Sequence, residues 1–361
     1  MRVIPPLTIT DAILTSSSAP ETAPAVYVGG TTYALNALVY TGTRGGVLTV
    51  WKSKAGANAG NTPASSPTWW LNTGTTYSVY DGSAWALGDI CIVVATNSHH
   101  SYECIQAGTG HTPASSPTWW LDLSAPLNSD QSTNRWAMFD KLRNTQTEFV
   151  SPGIWVLTPG CRVNSLFLGG LVATSFSVVV TSVIGGGVVY TATVTLPTRQ
   201  VFGWYDYFFE PFSNKKSAVL FDLPPFSDAI ITVSLTNTQG NAKCGACVIG
   251  NFVFIGNAQY QFNSSNLNFS SVTRDAFGNA TMKALRNVPQ TVQTVSVEKS
   301  RLDKIIAVRE ALNGTTAVWT ALDADDSGYF ESFVINGFAR KFEIVGDTPN
   351  NALINLELEE L

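Results

Sequence analysis

From about residue 147 to residue 256 the chain alternates apolar residues with Thr, Ser and Gly in short runs. These are EFVSPGIWVLTPG, CRVNSLFLGGLVA, SFSVVVTSV, VVYTATVTL, FGWYDYFFEPF, SAVLFDL, AIITVSLTN and KCGACVIGNFVFIG. A period of two marks half-buried strands, and turn residues separate the runs. Gly185, Gly186 and Gly187 read as a hairpin turn. This density of strands predicts a β-sandwich, jelly-roll-like, over residues 134–280.

The pattern changes near residue 281. SRLDKIIAVREALNG predicts a helix, with Ser300 as its cap, Gly314 at its end and Leu302, Ile305, Ile306, Val308 and Leu312 on one stripe. TAVWTALDA, SFVINGFARKFEIVG and NALINLELEEL then read as strands, so residues 281–361 are expected to form a small α+β unit. At the other end, DLSAPLNSDQST is polar and unpatterned. A boundary there predicts that the chain from Asn134 onward folds by itself, with residues 1–22 as an N-terminal arm.

Between arm and linker the sequence repeats. TPASSPTWWL occurs at residues 62–71 and again at 112–121. Upstream, YALNALVY from Tyr33 matches WALGDICI from Trp85, and Trp51 matches Tyr102. Two three-stranded β modules of about 50 residues are expected, at 23–72 and 73–124. The fold class is therefore mainly β: two small modules, a sandwich and an α+β unit.

Pro67 and Pro117 push the residue before them toward extended geometry. Neighbours on an extended segment face opposite ways. Trp69 and Trp70 should thus divide into one core ring and one outward ring, as should Trp119 and Trp120. The outward ring either packs on the sister module or another subunit, or stacks on the apolar face of a sugar. The candidate stacking rings are Tyr33, Trp51, Trp69 and Trp70 in the first copy, and Trp85, Tyr102, Trp119 and Trp120 in the second.

Composition narrows the function. Charged residues are 13% of 361, against about 25% in ordinary domains, and the net charge is −5. With no basic run, nucleic acid is not an expected partner. No apolar run approaches the ~20 residues of a membrane span, and no signal-peptide core follows MRVIPPL, so neither membrane insertion nor secretion is expected. Low charge and many aromatics suit a chain that packs against copies of itself, so a homo-oligomer is expected.

Candidate chemistry is sparse. The five cysteines are an odd, scattered set, which excludes a disulfide scaffold. Cys244 and Cys247 lack the second pair a zinc site needs, and read as small buried residues. Cys91 and Cys104 are expected as neighbouring free thiols. His99 and His100 at a hairpin tip, and His111 in a Gly loop, read as turn residues. Asp323, Asp325, Ser327 and Gly328 fit the start of a calcium loop, but Val334 stands where its closing Glu belongs, so an acidic turn is expected. Asp206 and Glu210 lie within the aromatic run, and nothing marks a catalytic carboxylate pair. No metal, no cofactor and no enzymatic activity are expected.

The stretch WALGDICI…YECIQAGTGHTPASSPTWW resembles the small chitin- and cellulose-binding modules of bacterial glycosidases. Their pattern runs aromatic-x-x-Gly-Asp, an aromatic strand, a T-G-x-x-P loop, then Trp. The second copy keeps Gly88 and Asp89, whereas the first has Asn36 and Ala37, which makes the second the better sugar candidate by resemblance. The order of segments along the whole chain resembles a family of tailed-bacteriophage virion proteins. IPPLTITDAILTSSSAPE, WLDLSAPLNSDQSTNRWAMFD, WYDYFFEPF, CGACVIG and INGFARKFEIV carry this likeness. In that family the step from W-L-D to N-R-W-A-M-F-D is shorter; here extra residues intervene. The resemblance implies a structural component of the tail tip or baseplate, located in the virion and made in the host cytoplasm. Its implied partners are other tail proteins and a host cell-surface glycan. A secreted polysaccharide-active enzyme and a lectin-like binding protein are the alternatives.

Overall fold

In a computed structural model the chain is mainly β. The structure describes residues 1–124, 133–198, 203–211, 213–321 and 333–361; the linker 125–132 and the acidic segment 323–331 lie outside the described residues.

The sandwich has a five-stranded antiparallel sheet in the order Gly187–Thr195, Ser175–Ser182, Ile230–Thr236, Gly153–Leu157, Leu14–Ser17. A three-stranded sheet of Ser217–Leu220, Ser165–Gly169 and Ala246–Gly250 accompanies it. Strict alternation drives this. On Ser175–Ser182, Phe176, Val178 and Val180 are buried, and they join Leu166, Leu168 and Ile249 of the second sheet in one apolar cluster. Each such burial contributes about 1.5–3 kcal/mol.

One run expected as a strand is a helix. WYDYFF forms the helix Trp204–Phe209, with no buried residue. Aromatics favour strands only where a pleated neighbour is there to pack on. This segment joins no ladder, and its backbone is satisfied locally, Tyr207 N donating to Gly203 O and Glu210 N to Asp206 O, each at 3.0 Å.

The C-terminal unit is a seven-stranded sheet covered by one helix. Its spatial order is Val253–Phe254, Arg2–Ile4, Ala317–Thr320, Val334–Gly346, Asn351–Glu360, Asn287–Glu298, Asn257–Asn268. The helix Leu302–Ala311 contributes Ile305 to a cluster with Trp319, Ile335, Ile354 and Leu356. Ser300 sits in a 3-10 turn, Lys299–Arg301, one step too early to cap this helix; Arg301 holds the cap position. Because Asn257–Asn268 pairs with Asn287–Glu298, the unit starts well before residue 281.

The first 22 residues are built into both units. Arg2–Ile4 lies between Val253–Phe254 and Ala317–Thr320, with Val3 and Ile4 fully buried, and Leu14–Ser17 pairs with Gly153–Leu157. A fragment from Asn134 onward would lose an internal strand of one sheet and an edge strand of the other, so that autonomy is corrected here. The two modules are an insertion: Thr133 Oγ1 donates to Glu21 Oε1 at 2.8 Å, so the chain leaves and re-enters the body at one place.

Each module is a four-stranded sheet. The expected antiparallel meander is Leu38–Thr41, Leu48–Ser53 and Trp70–Thr76 in the first, and Ile90–Ala95, Ser98–Cys104 and Trp120–Asp122 in the second. A two-residue parallel edge strand joins each, Ala25–Val26 and Ser78–Val79. Equivalent bonds recur. Asn36 N donates to Ser53 O at 2.9 Å, and Gly88 N to Cys104 O at 2.8 Å. Asn36 (φ 66°) and Gly88 (φ 85°) share the left-handed turn, which Asn tolerates.

Candidate functional site

The candidate site is the aromatic set of the two modules. In the first, Tyr27 stacks on Tyr33 (centroids 5.7 Å) and both meet Trp70 edge-on, at 5.9 and 5.2 Å. In the second, Tyr80 stacks on Trp85 (6.3 Å) and both meet Trp120 edge-on, at 5.8 and 5.6 Å. These are the edge and offset arrangements that ring quadrupoles favour. The buried indoles are anchored alike, Trp70 Nε1 donating to Asn61 O at 2.8 Å and Trp120 Nε1 to His111 O at 2.7 Å.

The doubled tryptophans divide between core and surface. Trp70 and Trp120 are buried; Trp69 and Trp119 are partly exposed. Trp85 and Tyr102 are also buried, within the second module's core. These four rings have no open face for a sugar, and their candidacy as stacking rings is withdrawn. Tyr33, Trp51, Trp69 and Trp119 remain at least partly exposed. Of these, Trp51 is turned into its own sheet, its Nε1 donating to Thr41 Oγ1 at 2.8 Å.

Trp119 and Trp69 sit differently. Trp119 lies parallel on His111, centroids 3.6 Å apart and planes 11° apart. Its ring also occupies the space beside Gly108, where a Cβ would come within 2.4 Å of it. The first module has Asn58 at that position, buried, with its Nδ2 donating to Ser53 Oγ at 3.0 Å. In the first module the same place is filled by an amide that bonds Ser53 and the Trp69 carbonyl instead.

What separates the modules most is who covers whom. The hairpin turn of the first module reaches the second. Arg44 lies over the Trp85 ring, 3.9 Å from its centroid, donates from Nη1 to Ala84 O at 2.7 Å and pairs with Asp81. Ile90 N donates to Gly45 O at 2.8 Å. The Gly88-Asp89 turn is thereby drawn into a module–module contact, and Asp89 Oδ2 accepts from Ala86 N at 2.8 Å. Tyr33, the counterpart of Trp85, has no cation over it among the described residues. Val28 and Leu35 beside it are exposed, Leu35 by 57%. The features that made the second copy the better sugar candidate are thus occupied, while their equivalents in the first copy are open.

The second module's hairpin repeats the manoeuvre against the body. Asn97 N donates to Asp11 Oδ2 at 2.9 Å, and Asp11 N to Asn97 Oδ1 at 3.0 Å. His99, expected as a turn residue, is buried between two carboxylates, with Nε2 2.7 Å from Asp11 Oδ1 and Nδ1 2.8 Å from Glu21 Oε1. It stacks on Trp136 at 4.7 Å, and Arg135 Nη1 stands 3.6 Å from Glu21 Oε2. Burial alone would lower the His99 pKa, but Glu21 and then Asp11 outweigh it and raise it; burial would raise both carboxylates, but the Asn97 backbone N–H and then His99 lower Asp11, and His99 and then the Thr133 hydroxyl lower Glu21. Sequence gave no signal of this clasp, because its partners are 88 and 78 positions away.

The remaining chemistry is structural. Cys91, Cys104, Cys244 and Cys247 are buried free thiols, and burial pushes Cys247 up to about 12. Asp206 and Glu210 sit on and just after the exposed helix Trp204–Phe209. Among the described residues no cluster of three or more His, Cys, Asp or Glu could hold a metal ion, and no helix is long and apolar enough to cross a membrane. No protein-family model and no curated protein matches the chain.

Proposed function

We propose that the chain is a non-enzymatic structural component of a phage tail tip or baseplate, and that the free end of its first module contacts a host surface glycan. The observation that carries the glycan half is the head-to-tail covering of the modules. The hairpin of each module closes the next surface in line, which leaves the Tyr27–Tyr33 face of the first module as the uncovered terminus.

The particle half rests on the segment resemblance and on apolar elements that the isolated chain leaves bare. Trp204 is 81% exposed at the start of a helical turn that carries five aromatics and Asp206, and Phe277, at the tip of the long hairpin between residues 257 and 298, is 90% exposed. Large exposed apolar patches at separate places are what a subunit with several protein neighbours presents.

The test is retention of the full chain on insoluble chitin and cellulose. Wild type should be retained, and Tyr33→Leu and Leu35→Arg should lose retention, Leu35→Arg without changing the melting temperature because Leu35 is exposed. Trp85→Ala should destabilise instead. No retention of wild type, or retention unaffected by both first-module changes, would remove the glycan half of the proposal.

A further inference from the structure

A cavity of about 400 Å3 lies where five parts of the chain meet. Leu7 comes from the arm, Asn97 from the second module's hairpin, Phe139 and Asp140 from the segment after the linker, Cys247 from the sandwich, and Asn336 from the C-terminal sheet. Small-ligand sites typically measure roughly 300–1,000 Å3 and favour such junctions.

Asn336 is the informative residue. It stands on the strand Val334–Gly346 opposite Val318, beside the buried Val334 and Ile335. It is 4% exposed, lines the cavity, and its carboxamide has no hydrogen-bond partner among the described residues. An apolar residue would fill this place without turning a polar group to the cavity. The carboxamide offers one donor group and one acceptor toward the cavity.

The rest of the lining defines what would answer it. Phe139 is half-buried and presents an aromatic surface. Asp140 is buried, its Oδ1 accepting from Leu142 N at 2.7 Å and its Oδ2 from the Thr145 hydroxyl, which leaves lone pairs on both oxygens. Lys141 also lines the cavity, so its wall offers both an acid and a base. An apolar ring face beside amide and carboxyl groups fits a neutral, hydroxyl-rich ring. We infer that this junction cavity is a binding site for a mono- or disaccharide, separate from the first module's end.

Asn97 ties the site to the module clasp, because its backbone and side chain are both bonded to Asp11. A sugar seated here touches module, arm, sandwich and C-terminal sheet together, so it favours their docked arrangement.

The experiment uses the full chain with glucose, galactose and N-acetylglucosamine as probes at millimolar concentration, read by saturation-transfer NMR. At least one sugar should receive saturation from wild type. Asn336→Leu, which keeps the volume but removes the amide, should weaken it about tenfold. Tyr33→Leu, which removes the module face, should still show transfer. In that background Thr8→Trp, at an exposed position on the rim, should abolish it with the fold intact, and decides the matter if Asn336→Leu misfolds. No transfer to any of the three sugars, transfer lost in Tyr33→Leu, or transfer in the Tyr33→Leu background unaffected by Thr8→Trp would overturn the inference.

Discussion

Thr133 Oγ1 donates a 2.8 Å hydrogen bond to Glu21 Oε1 across 112 positions of sequence. The two modules are looped out between these residues, and the strands before Glu21 belong to the body. Thr76, at the end of the first module, also donates to Glu21 O, so this one residue marks the root of the insertion.

Replacing residues 23–132 by a short Gly/Ser linker should therefore leave a folded body, with a cooperative thermal transition by circular dichroism. Residues 134–361 alone should not fold, because Arg2–Ile4 and Leu14–Ser17 are missing from their sheets. A cooperative transition from 134–361 would place the arm outside the core.

The clasp should be pH-dependent with a defined sign. The His99 pKa is raised, so its contribution is complete below the unfolded value near 6.5 and is lost as pH rises through the higher folded value. Asp11 and Glu21 are lowered, so theirs are complete above about 3.8 and 4.5 and are lost as pH falls through the folded values. Docking of the second module should be firmest near pH 5–6. Limited proteolysis at residues 125–132 should quicken toward pH 9, and His99→Ala should remove that dependence.

Asp140 has the opposite sign to Asp11 and Glu21. Burial raises its pKa from 3.8 to about 7, so the folded state holds the proton longer than the unfolded one and stability falls between those values. Asp140→Asn should be close to neutral at pH 4 and should stabilise by about 2–4 kcal/mol at pH 8. The ratio of urea midpoints at the two pH values measures it. A destabilisation that is equal at both would show that the carboxylate's bonds to Leu142 and Thr145 outweigh its burial.

Within each tryptophan pair the effects should be unequal. Trp70→Ala and Trp120→Ala remove buried rings and should cost about 3–5 kcal/mol. Trp69→Ala should cost about 1 kcal/mol or less, and Trp119→Ala somewhat more because it also loses the His111 stack. Equal losses across a pair would mean that both rings are core.

The division of the tryptophans came out as expected, but not through an extended segment: Trp69 closes a turn, Trp69 N and Trp70 N both donating to Ser66 O at 3.0 Å, and the strand begins only at Trp70. The sandwich strands were legible from local alternation, Phe176, Val178 and Val180 alternating with polar residues on one strand. The helix Leu302–Ala311 was legible from its stripe, but its start was misplaced, since a 3-10 turn intervenes at Ser300. What could not be read were pairings set by distant residues. Arg2–Ile4 is too short to carry a period, and its partners lie more than 200 positions away. WYDYFF has strand propensity without a strand partner. Arg44 over Trp85 has no sequence signature, so the turn that looked ligand-ready turned out to be a module joint.

The central claim is that this chain sits at the tip of a phage tail with its first module outward. Immunogold electron microscopy of purified tailed particles encoding the chain, with antibody against residues 23–72, tests it most directly. The account predicts gold at the distal end of the tail on intact particles. Particles that carry no label, or that carry it on the head, would contradict it.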